Sequence, residues 1–232
     1  MTHPTVLFDF DHTLIDSDRA LALAYVDAAE AGAIADPERW RSTFEEINHA
    51  LWRGVERGAL SANEVKHRRF EALLIEVGAT DPASMSAVAD DMAEAFVVGL
   101  VEHIEFLPGA VELLDGVGAR QLGLVTNGIG RVQRGRLERL GLVDHFETVV
   151  ISGERGVAKP DPAIFGHALA ELGNPSIDDV VMVGDNWSSD IQGALNAGLA
   201  SIWLAGGDQP TEPPPESVRV AATLTEVAVL LG

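Results

Sequence analysis

The chain contains no cysteine, so its 232 residues hold neither disulfide bonds nor thiolate metal ligands. Apolar runs are also short, and none approaches the roughly 18 to 20 residues that are needed to cross a bilayer. The amino terminus, Met1-Thr2-His3-Pro4, lacks the basic region and apolar stretch that are typical of a secretory signal peptide. These absences favour a cytoplasmic protein that does not insert into a membrane.

Basic residues are scarce. The sequence has 16 lysines and arginines against 36 aspartates and glutamates, which gives a formal net charge of −20. A surface of this charge repels nucleic-acid polymers and anionic membranes, and it argues against either as a partner. A phosphorylated ligand would need a local cation to hold it, and the chain has only two lysines to offer, Lys66 and Lys159.

The most informative segment is Asp9-Phe10-Asp11-His12-Thr13, which directly follows the apolar run Thr5-Val6-Leu7-Phe8. A β-prone run that ends in carboxylates is typical of a buried strand in an open α/β sheet, where ligands bind at the carboxyl ends. Two ionised carboxylates about 4 Å apart repel by roughly 4 kcal/mol at an effective dielectric of about 20, so a cation or a shared proton is expected. Solvated aspartates at an ordinary strand end are the alternative.

Three further segments place polar residues after apolar ones. Gly123-Leu124-Val125-Thr126-Asn127-Gly128 ends in a hydroxyl and an amide, and Val157-Ala158-Lys159-Pro160-Asp161-Pro162 places a lysine before a turn. The run from Val180 to Asp190 forms another apolar strand that ends in acids. The structural alternatives are an ordinary Asn-Gly turn at Asn127, and capping by Asp185 or Asp190 of a helix that begins near Ser188.

Apolar strands alternate with amphipathic helices on both sides of a long helical interval. This alternation predicts an α/β fold with a doubly wound, Rossmann-like parallel sheet. The predicted strands are Thr5–Phe10, Gln121–Thr126, Thr148–Ile151, Val180–Val183, Ala200–Leu204 and Arg219–Ala222. The predicted helices between them are Ala110–Arg120, Gly130–Leu140, Ala163–Leu172, Ser189–Ala197 and Thr225–Leu231. The segment Gly206–Ser217, rich in proline and polar residues, is predicted to be a surface loop.

Residues 17–104 break the alternation, because they show helical patterns and no strand. The helices predicted there are Asp18–Gly32, Pro37–Arg57, Ser61–Val77 and Ser84–His103. We therefore predict two domains. Residues 1–16 and 105–232 form the Rossmann-like core, and residues 17–104 form an all-helical domain inserted after the first candidate site loop.

Together and in this order, the four polar segments resemble the signature motifs of the haloacid dehalogenase (HAD) superfamily of hydrolases, over residues 5–190. The helical insertion after the first motif resembles the C1-type cap of that superfamily. The resemblance implies a phosphomonoesterase that acts through an aspartyl-phosphate, with Asp9 as nucleophile and Asp11 as general acid and base. The true dehalogenases lack an acid at the position of Asp11, so carbon–halogen cleavage is disfavoured. A non-catalytic binding protein of the same fold is a further alternative.

The resemblance also implies a magnesium site. Its protein ligands would be the carboxylates of Asp9 and Asp185 and the backbone carbonyl of Asp11, because Mg²⁺ prefers oxygen ligands and a bound phosphate. Asp190 would order these ligands through water or through contacts behind them.

Phosphate-binding residues are implied as well. Thr126 and Asn127 would donate hydrogen bonds to phosphate oxygens, chiefly through the hydroxyl and the backbone. Lys159 would screen the Asp9 carboxylate from the incoming phosphate and bind one of its oxygens. Thr13 would steady the loop after the first strand, with a helix cap as the alternative.

The segments Asn48–Trp52, His67–Glu71, Gly153–Pro160 and Gly184–Leu204 look like those of the bacterial pyrimidine 5′-nucleotidases, also called house-cleaning nucleotidases. This likeness implies a small phosphorylated metabolite as partner and a nucleoside 5′-monophosphate as substrate. Phosphoglycolate or a sugar phosphate is the alternative. The oligomeric state expected is a monomer or a homodimer.

Within the predicted helical domain, Trp52 could stack on a base, while Asn48 or Arg69 could reach a ribose or a base edge. Simple packing in the core of the helical domain is the alternative explanation for these side chains.

Overall fold

The protein, seen in a computed structural model that describes residues 3–206 and 213–232, contains one six-stranded sheet in these residues. Every neighbouring pair of strands is parallel, and the strand order is β3-β2-β1-β4-β5-β6. The strands are β1 (Thr5–Phe8), β2 (Gln121–Thr126), β3 (Thr148–Ile151), β4 (Val180–Gly184), β5 (Ala200–Leu204) and β6 (Val218–Ala221). The predicted α/β fold with a parallel sheet is confirmed.

The burial of the strands explains why their sequences are apolar throughout rather than alternating. All residues of β1 and β4, the two central strands, are buried. Central strands of parallel sheets are covered on both faces by crossover helices, so both sets of side chains must be apolar. The edge strand β6 instead has one partly buried and one exposed side chain, Arg219 and Val220.

Three strand boundaries differ from the prediction. The first strand ends at Phe8 rather than Phe10, because the chain turns there and the N–H groups of Leu14 and Ile15 both donate to the carbonyl of Phe10. The fourth strand extends by one residue to Gly184. The last strand lies one residue earlier than predicted. Part of the predicted loop Gly206–Ser217, residues 207–212, lies outside the described residues.

The α-helices in the described residues are α1 (Ser17–Ala31), α2 (Pro37–Glu56), α3 (Ala62–Val77), α4 (Pro82–Glu102), α5 (Ala110–Gly116), α6 (Gly130–Arg139), α7 (Ser152–Arg155), α8 (Pro162–Glu171), α9 (Gln192–Asn196) and α10 (Leu224–Leu231). A 3₁₀ turn spans Ile177–Asp179, and a π-helical turn spans Trp187–Ile191. The predicted helix Ser189–Ala197 is therefore divided between this π turn and α9. The short helix α7 was not predicted.

The predicted helix Ala110–Arg120 is too long, because α5 ends at Gly116. Gly118 has a φ of 68°, a left-handed conformation that terminates the helix at little cost for glycine. Arg120 lies beyond the end of this helix. Its guanidinium donates to the carbonyls of His3, Val117 and Leu231.

The chain forms two compact units. The sheet unit comprises Met1–Asp16, Glu105–Asn127 and Gly141–Gly232, and the helical unit comprises Ser17–Ile104 and Gly128–Leu140. The chain thus passes from one unit to the other after residues 16 and 104, where the sequence analysis placed the domain boundaries.

The segment Gly128–Leu140, which carries α6, was assigned to the core and belongs to the helical unit instead. Ile129 and Val132 join the buried hydrophobic cluster of that unit. Arg136 donates from Nε to the carbonyl of Leu100 at 2.9 Å. A crossover helix between two strands was therefore misassigned because strand–helix alternation shows the order of elements and not which core each helix packs into.

Four aromatic side chains, Tyr25, Phe44, Phe70 and Phe96, pack together in the core of the helical unit. Phe44 lies 5.7 Å from Phe70 and 5.5 Å from Phe96, measured between ring centroids, and Tyr25 stacks on Phe44 at 4.7 Å.

Among the residues described, no helix is long and apolar enough to cross a membrane.

Candidate active site

The candidate site lies in the sheet unit, at the point where the strand order reverses. Strand β1 pairs with β2 on one side and with β4 on the other, so the loops after β1 and β4 leave the sheet side by side. Asp9 follows β1, and its N–H donates to the carbonyl of Val183 at 2.8 Å. Asp185 follows β4. Ligands of doubly wound sheets bind at the carboxyl edge beside such a switch point.

Three acidic side chains converge at this edge. One carboxylate oxygen from each of Asp9, Asp185 and Asp190 lies within 4.8 Å of the others. Lys159 joins them, because its Nζ contacts the carboxylate of Asp9 and lies 2.7 Å from that of Asp190. Lys159 is 1% exposed, so it is an internal cation and not a solvated surface lysine.

The charges of the cluster do not balance. Three carboxylates and one ammonium group leave two negative charges uncompensated when all are ionised. Burial, together with the charges of Asp190, Asp185 and Asp11, raises the pKa of Asp9 well above its usual value, against the opposing effect of Lys159. Burial and Asp190 raise the pKa of Asp185 to about 7. The site is therefore deficient in positive charge.

The charge of Lys159 is secured by its partners. Burial by itself would lower the pKa of this amine, but the attraction of Asp190 and Asp9 outweighs burial and raises the pKa above the usual lysine value. The lysine remains protonated at neutral pH and supplies a permanent positive charge beside Asp9.

Thr13 connects two of the acids. Its hydroxyl is fully buried and lies 3.2 Å from Oδ2 of Asp9 and 3.3 Å from Oδ1 of Asp185. A hydroxyl has a single hydrogen, so Thr13 donates to one carboxylate at a time. The alternative that Thr13 caps a helix is wrong, because α1 begins only at Ser17.

Asn127 holds the lysine loop through its side chain. Its Nδ2 donates to the carbonyl of Lys159 at 2.9 Å, and its Oδ1 accepts from the N–H of Lys159 at 2.8 Å. Both ends of the carboxamide are thus engaged with one residue. Thr126, predicted beside Asn127 as a phosphate ligand, is buried at the end of β2.

The segment that carries Asp185 and Asp190 is capped by neither acid. Asn186 is the cap, since its Oδ1 accepts from the N–H groups of Ser188 and Ser189 at 2.9 and 3.0 Å. Oδ2 of Asp190 accepts from the N–H of Asn186 at 3.0 Å, while Oδ1 faces Lys159. The capping alternative for the two aspartates is wrong.

Asp11 lies in the turn after β1, next to the cluster of three acids. His12 takes a left-handed conformation with a φ of 59°, and its N–H donates to the carbonyl of Ile15 at 3.1 Å. The charge of Asp11 contributes to the raised pKa of Asp9. The side chain is partly buried, in contrast to the buried Asp9.

The predicted substrate residues of the insertion all belong to the helical unit. Asn48 and Trp52 lie one turn apart on α2. Asn48 is buried, and its Oδ1 has no hydrogen-bond partner among the described residues, while Trp52 is partly buried. Arg69 on α3 is buried, donates from Nε to the carbonyl of Val65, and places its guanidinium 4.8 Å from the ring centroid of Phe96.

Burial and the neighbouring charge of Arg136 lower the pKa of Arg69 below the usual arginine value. This arginine is thus held by a carbonyl and an aromatic ring. Its role in contacting a substrate stays a prediction.

Trp203 contacts the acidic cluster and was not predicted. This residue of β5 donates from its indole Nε1 to the backbone carbonyl of Asp185 at 2.8 Å. Only the sheet order could reveal this contact, because Trp203 lies in register with Gly184 on the adjacent strand.

The oxygen-rich cluster suits a hard divalent cation. Carboxylate oxygens are the ligands that Mg²⁺ prefers, and two uncompensated negative charges match its charge. Asp9 and Asp185 would hold the ion, while Lys159 contacts the carboxylates of Asp9 and Asp190 in the same cluster.

Comparison with known proteins identifies the family to which this arrangement corresponds. The profile of the haloacid dehalogenase-like hydrolases matches residues 3–198. The chain is 38% identical over 202 residues to pyrimidine 5′-nucleotidase YjjG of Escherichia coli K12, covering 86% of this chain and 84% of that protein. It is 33% identical to pyrimidine 5′-nucleotidase PynA of Streptococcus pneumoniae, over 88% and 84% of the two chains.

Among solved structures, the magnesium-bound HAD-hydrolase YfnB of Bacillus subtilis superimposes with a TM-score of 0.85. The two sequences are 28% identical, and the match covers 100% of this chain and 99% of that one.

Proposed function

Because this chain belongs to the haloacid dehalogenase-like hydrolases and is a phosphoric monoester hydrolase, we propose that it is a magnesium-dependent nucleoside 5′-monophosphate phosphatase. The observation that carries the proposal is the cluster of buried Asp9, Lys159 and Asp190 with the partly buried Asp185 at the carboxyl edge of the sheet. The likeness to two pyrimidine 5′-nucleotidases supports the choice of substrate.

Asp9 is the nucleophile in this proposal. Its carboxylate oxygen forms a bond to phosphorus while the bond from phosphorus to the ester oxygen breaks, which gives an aspartyl-phosphate. Asp11, two residues later, donates its proton to the departing ester oxygen, and the alcohol leaves.

Asp11 then acts as a base. Its carboxylate takes a proton from water, the water oxygen bonds to phosphorus, and the bond from phosphorus to Asp9 breaks. Inorganic phosphate is released, and both aspartates return to their starting protonation states. The general acid of the first step has to be the general base of the second, as microscopic reversibility requires.

The remaining residues hold the charges in place. Lys159 neutralises part of the charge on Asp9, which lets a phosphate dianion approach a carboxylate nucleophile. Asn127 fixes the backbone of Lys159, and Thr13 orients the carboxylates of Asp9 and Asp185. When bound, Mg²⁺ supplies positive charge that stabilises the transferring phosphoryl group.

The experiment that tests the proposal is a panel of phosphorylated metabolites assayed for phosphate release with Mg²⁺ and with excess chelator. The panel contains purine and pyrimidine nucleoside 5′-monophosphates, phosphoglycolate and sugar phosphates. We expect the nucleotides to have the highest kcat/KM, and we expect the Asp9→Asn variant to release no phosphate from any of them. Hydrolysis that persists in chelator, or in Asp9→Asn, would overturn the mechanism. A preference for phosphoglycolate or sugar phosphates would overturn the substrate class alone.

The proposed contact of Trp52 with the base can be tested in the same panel. Base–aromatic stacking contributes about 1–3 kcal/mol per base, so Trp52→Ala is expected to raise KM for nucleotides roughly 5- to 150-fold. KM for sugar phosphates, which have no base, should stay close to that of the parent protein. An equal change for both classes would contradict stacking.

A further inference from the structure

Trp203 holds the main chain of a proposed magnesium ligand. Its indole Nε1 donates to the backbone carbonyl of Asp185 at 2.8 Å, from the neighbouring strand. The register places Trp203 opposite Gly184, the last residue of β4, so the indole extends past the end of that strand to the first residue of the loop.

A second tryptophan packs on the first. The rings of Trp187 and Trp203 are 4.9 Å apart between centroids and meet at 66°, an edge-to-face arrangement that is favourable for aromatic pairs. Trp187 is the first residue of the π-helical turn that contains Asp190. Trp203 therefore packs on the segment that joins Asp185 to Asp190 through its contact with Trp187.

Two other features of this segment hold the side chain of Asp190 in place. Asn186 donates its N–H to Asp190, and a Cβ atom at Gly184 would overlap the side chain of Asp190. Asp185 is held differently. Thr13 contacts its carboxylate, while Trp203 contacts its carbonyl on the main-chain side.

We propose that Trp203 is a positioning residue for Asp185, and that its indole N–H sets the affinity of the site for the divalent ion. This inference rests on the proposed magnesium site. Mg²⁺ demands near-ideal octahedral geometry, so a small displacement of one carboxylate weakens binding. Groups that orient metal ligands typically change metal affinity by about 10- to 100-fold when they are removed.

The test is Mg²⁺ titration calorimetry on the full chain without substrate. Trp203→Phe keeps an aromatic ring on the partner Trp187 and removes the N–H. The expected result is a Kd for Mg²⁺ about 10- to 100-fold higher than that of the parent protein. At saturating Mg²⁺, KM for the substrate should be unchanged, because the lysine and the phosphate-binding groups are not altered.

Trp187→Phe is the matched control. It changes the same aromatic pair and leaves the bond from Trp203 to Asp185 in place, so its Kd for Mg²⁺ should stay close to the parent value. Trp203→Leu provides a second side chain without an N–H, and it is expected to behave as Trp203→Phe does. Unfolding temperatures measured in chelator report whether each variant is folded.

Each outcome is decisive. A parent-like Kd in a folded Trp203→Phe or Trp203→Leu variant would overturn the inference and leave the magnesium proposal intact. Equal weakening in Trp187→Phe and Trp203→Phe would assign the effect to ring packing, and this too would overturn the role of the N–H. A parent protein that binds no Mg²⁺ would overturn the proposed metal site and this inference with it.

Discussion

The sheet unit and the helical unit both bury positive charge, but they compensate it in different ways. In the sheet unit, Lys159 is paired with Asp9 and Asp190, and the acids outnumber the cation. In the helical unit, the buried guanidinium of Arg69 faces a carbonyl and the ring of Phe96, with Arg136 as a like-charged neighbour.

The cluster around Lys159 is an arrangement that can react, whereas packing can explain the arrangement around Arg69. Burial, together with an excess of acids over their cation, raises the pKa of Asp9, and a divalent ion could balance that excess. Arg69 instead contacts neutral groups, a carbonyl and an aromatic ring, and packing in the core of the helical unit can explain its position.

The two lysines of the chain offer a direct comparison, because one lies in each unit. Replacing Lys159 with methionine leaves buried carboxylates without their cation, which typically costs about 3–5 kcal/mol of unfolding free energy. Loss of a charged group at the phosphate site should also lower kcat by roughly 10²- to 10³-fold. Urea unfolding and steady-state kinetics measure the two effects.

Lys66→Met is the control for that experiment. Lys66 pairs with Glu94 at 3.3 Å in the helical unit, and the Glu94 side chain is 48% exposed. Partly exposed pairs contribute about 0–1 kcal/mol, so both stability and kcat should be nearly unchanged. Equal losses in the two lysine variants would contradict the contrast between the units.

The acidic excess of the sheet unit predicts how Mg²⁺ stabilises the protein at different pH. The pKa of Asp185, about 7 in the folded protein, lies above its unfolded value near 3.8. Protonation of this carboxyl therefore stabilises the ion-free fold fully below the unfolded pKa, and that contribution is lost as the pH rises through about 7. Mg²⁺ takes the place of the proton, so its stabilising effect should grow from pH 5.5 to pH 8.

At 100 times its Kd, a ligand stabilises the folded state by about 2.7 kcal/mol. Thermal unfolding with Mg²⁺ and with chelator, at a series of pH values, measures the difference. Asp185→Asn removes the titrating group and should reduce both the Mg²⁺ effect and its pH dependence. A Mg²⁺ effect that shrinks as the pH rises would contradict the assignment.

Asn127→Ala tests whether the position of the cation, and not only its presence, matters in the sheet unit. The substitution removes two hydrogen bonds to the backbone of Lys159, each contributing about 0.5–1.5 kcal/mol. We expect a loss of about 1–3 kcal/mol in unfolding free energy and a lower kcat, with Lys159 still charged. Asn127→Asp, which keeps the acceptor and loses the donor, should fall between the parent and the alanine variant. A parent-like kcat in Asn127→Ala would argue against a positioning role.

Arg69→Met should cause the smallest loss of stability. Burial and the like charge of Arg136 both disfavour the guanidinium, so its replacement by an apolar side chain of similar length is expected to be close to neutral. Urea unfolding measures the change, and KM for nucleotides reports on the predicted substrate contact. Arg68→Met, at an exposed position beside it, is the control. A loss as large as that of Lys159→Met would contradict this expectation.

Much of the fold could be predicted from local patterns. The strands β2, β3 and β5 have the predicted boundaries, because short, mainly apolar runs are typical of strands in a sheet that is covered on both faces. Boundaries failed where tertiary hydrogen bonds decided them. The carbonyl of Phe10 accepts two N–H groups of the following turn, and no local pattern specifies that the strand stops two residues earlier.

The acids and the lysine of the candidate site were also named from the sequence, because each follows an apolar strand in a recurring order. The hydrogen bonds that hold these groups were not predicted. Asn127 was named as a phosphate-binding residue, but its two bonds to the backbone of Lys159 appear only in the tertiary structure. The bond from Trp203 to the carbonyl of Asp185 likewise depends on the pairing of two strands.

The alternation of elements and the chemical groups available to the site can be predicted without knowledge of the fold. Those properties follow from side-chain chemistry and from the short-range periodicity of strands and helices. Tertiary contacts instead set the strand order, the inclusion of α6 in the helical unit and the burial that changes the pKa of Asp9 and Asp185. Each of these depends on contacts between residues more than 100 positions apart along the chain, or on which hydrophobic core a helix enters, and local patterns contain neither.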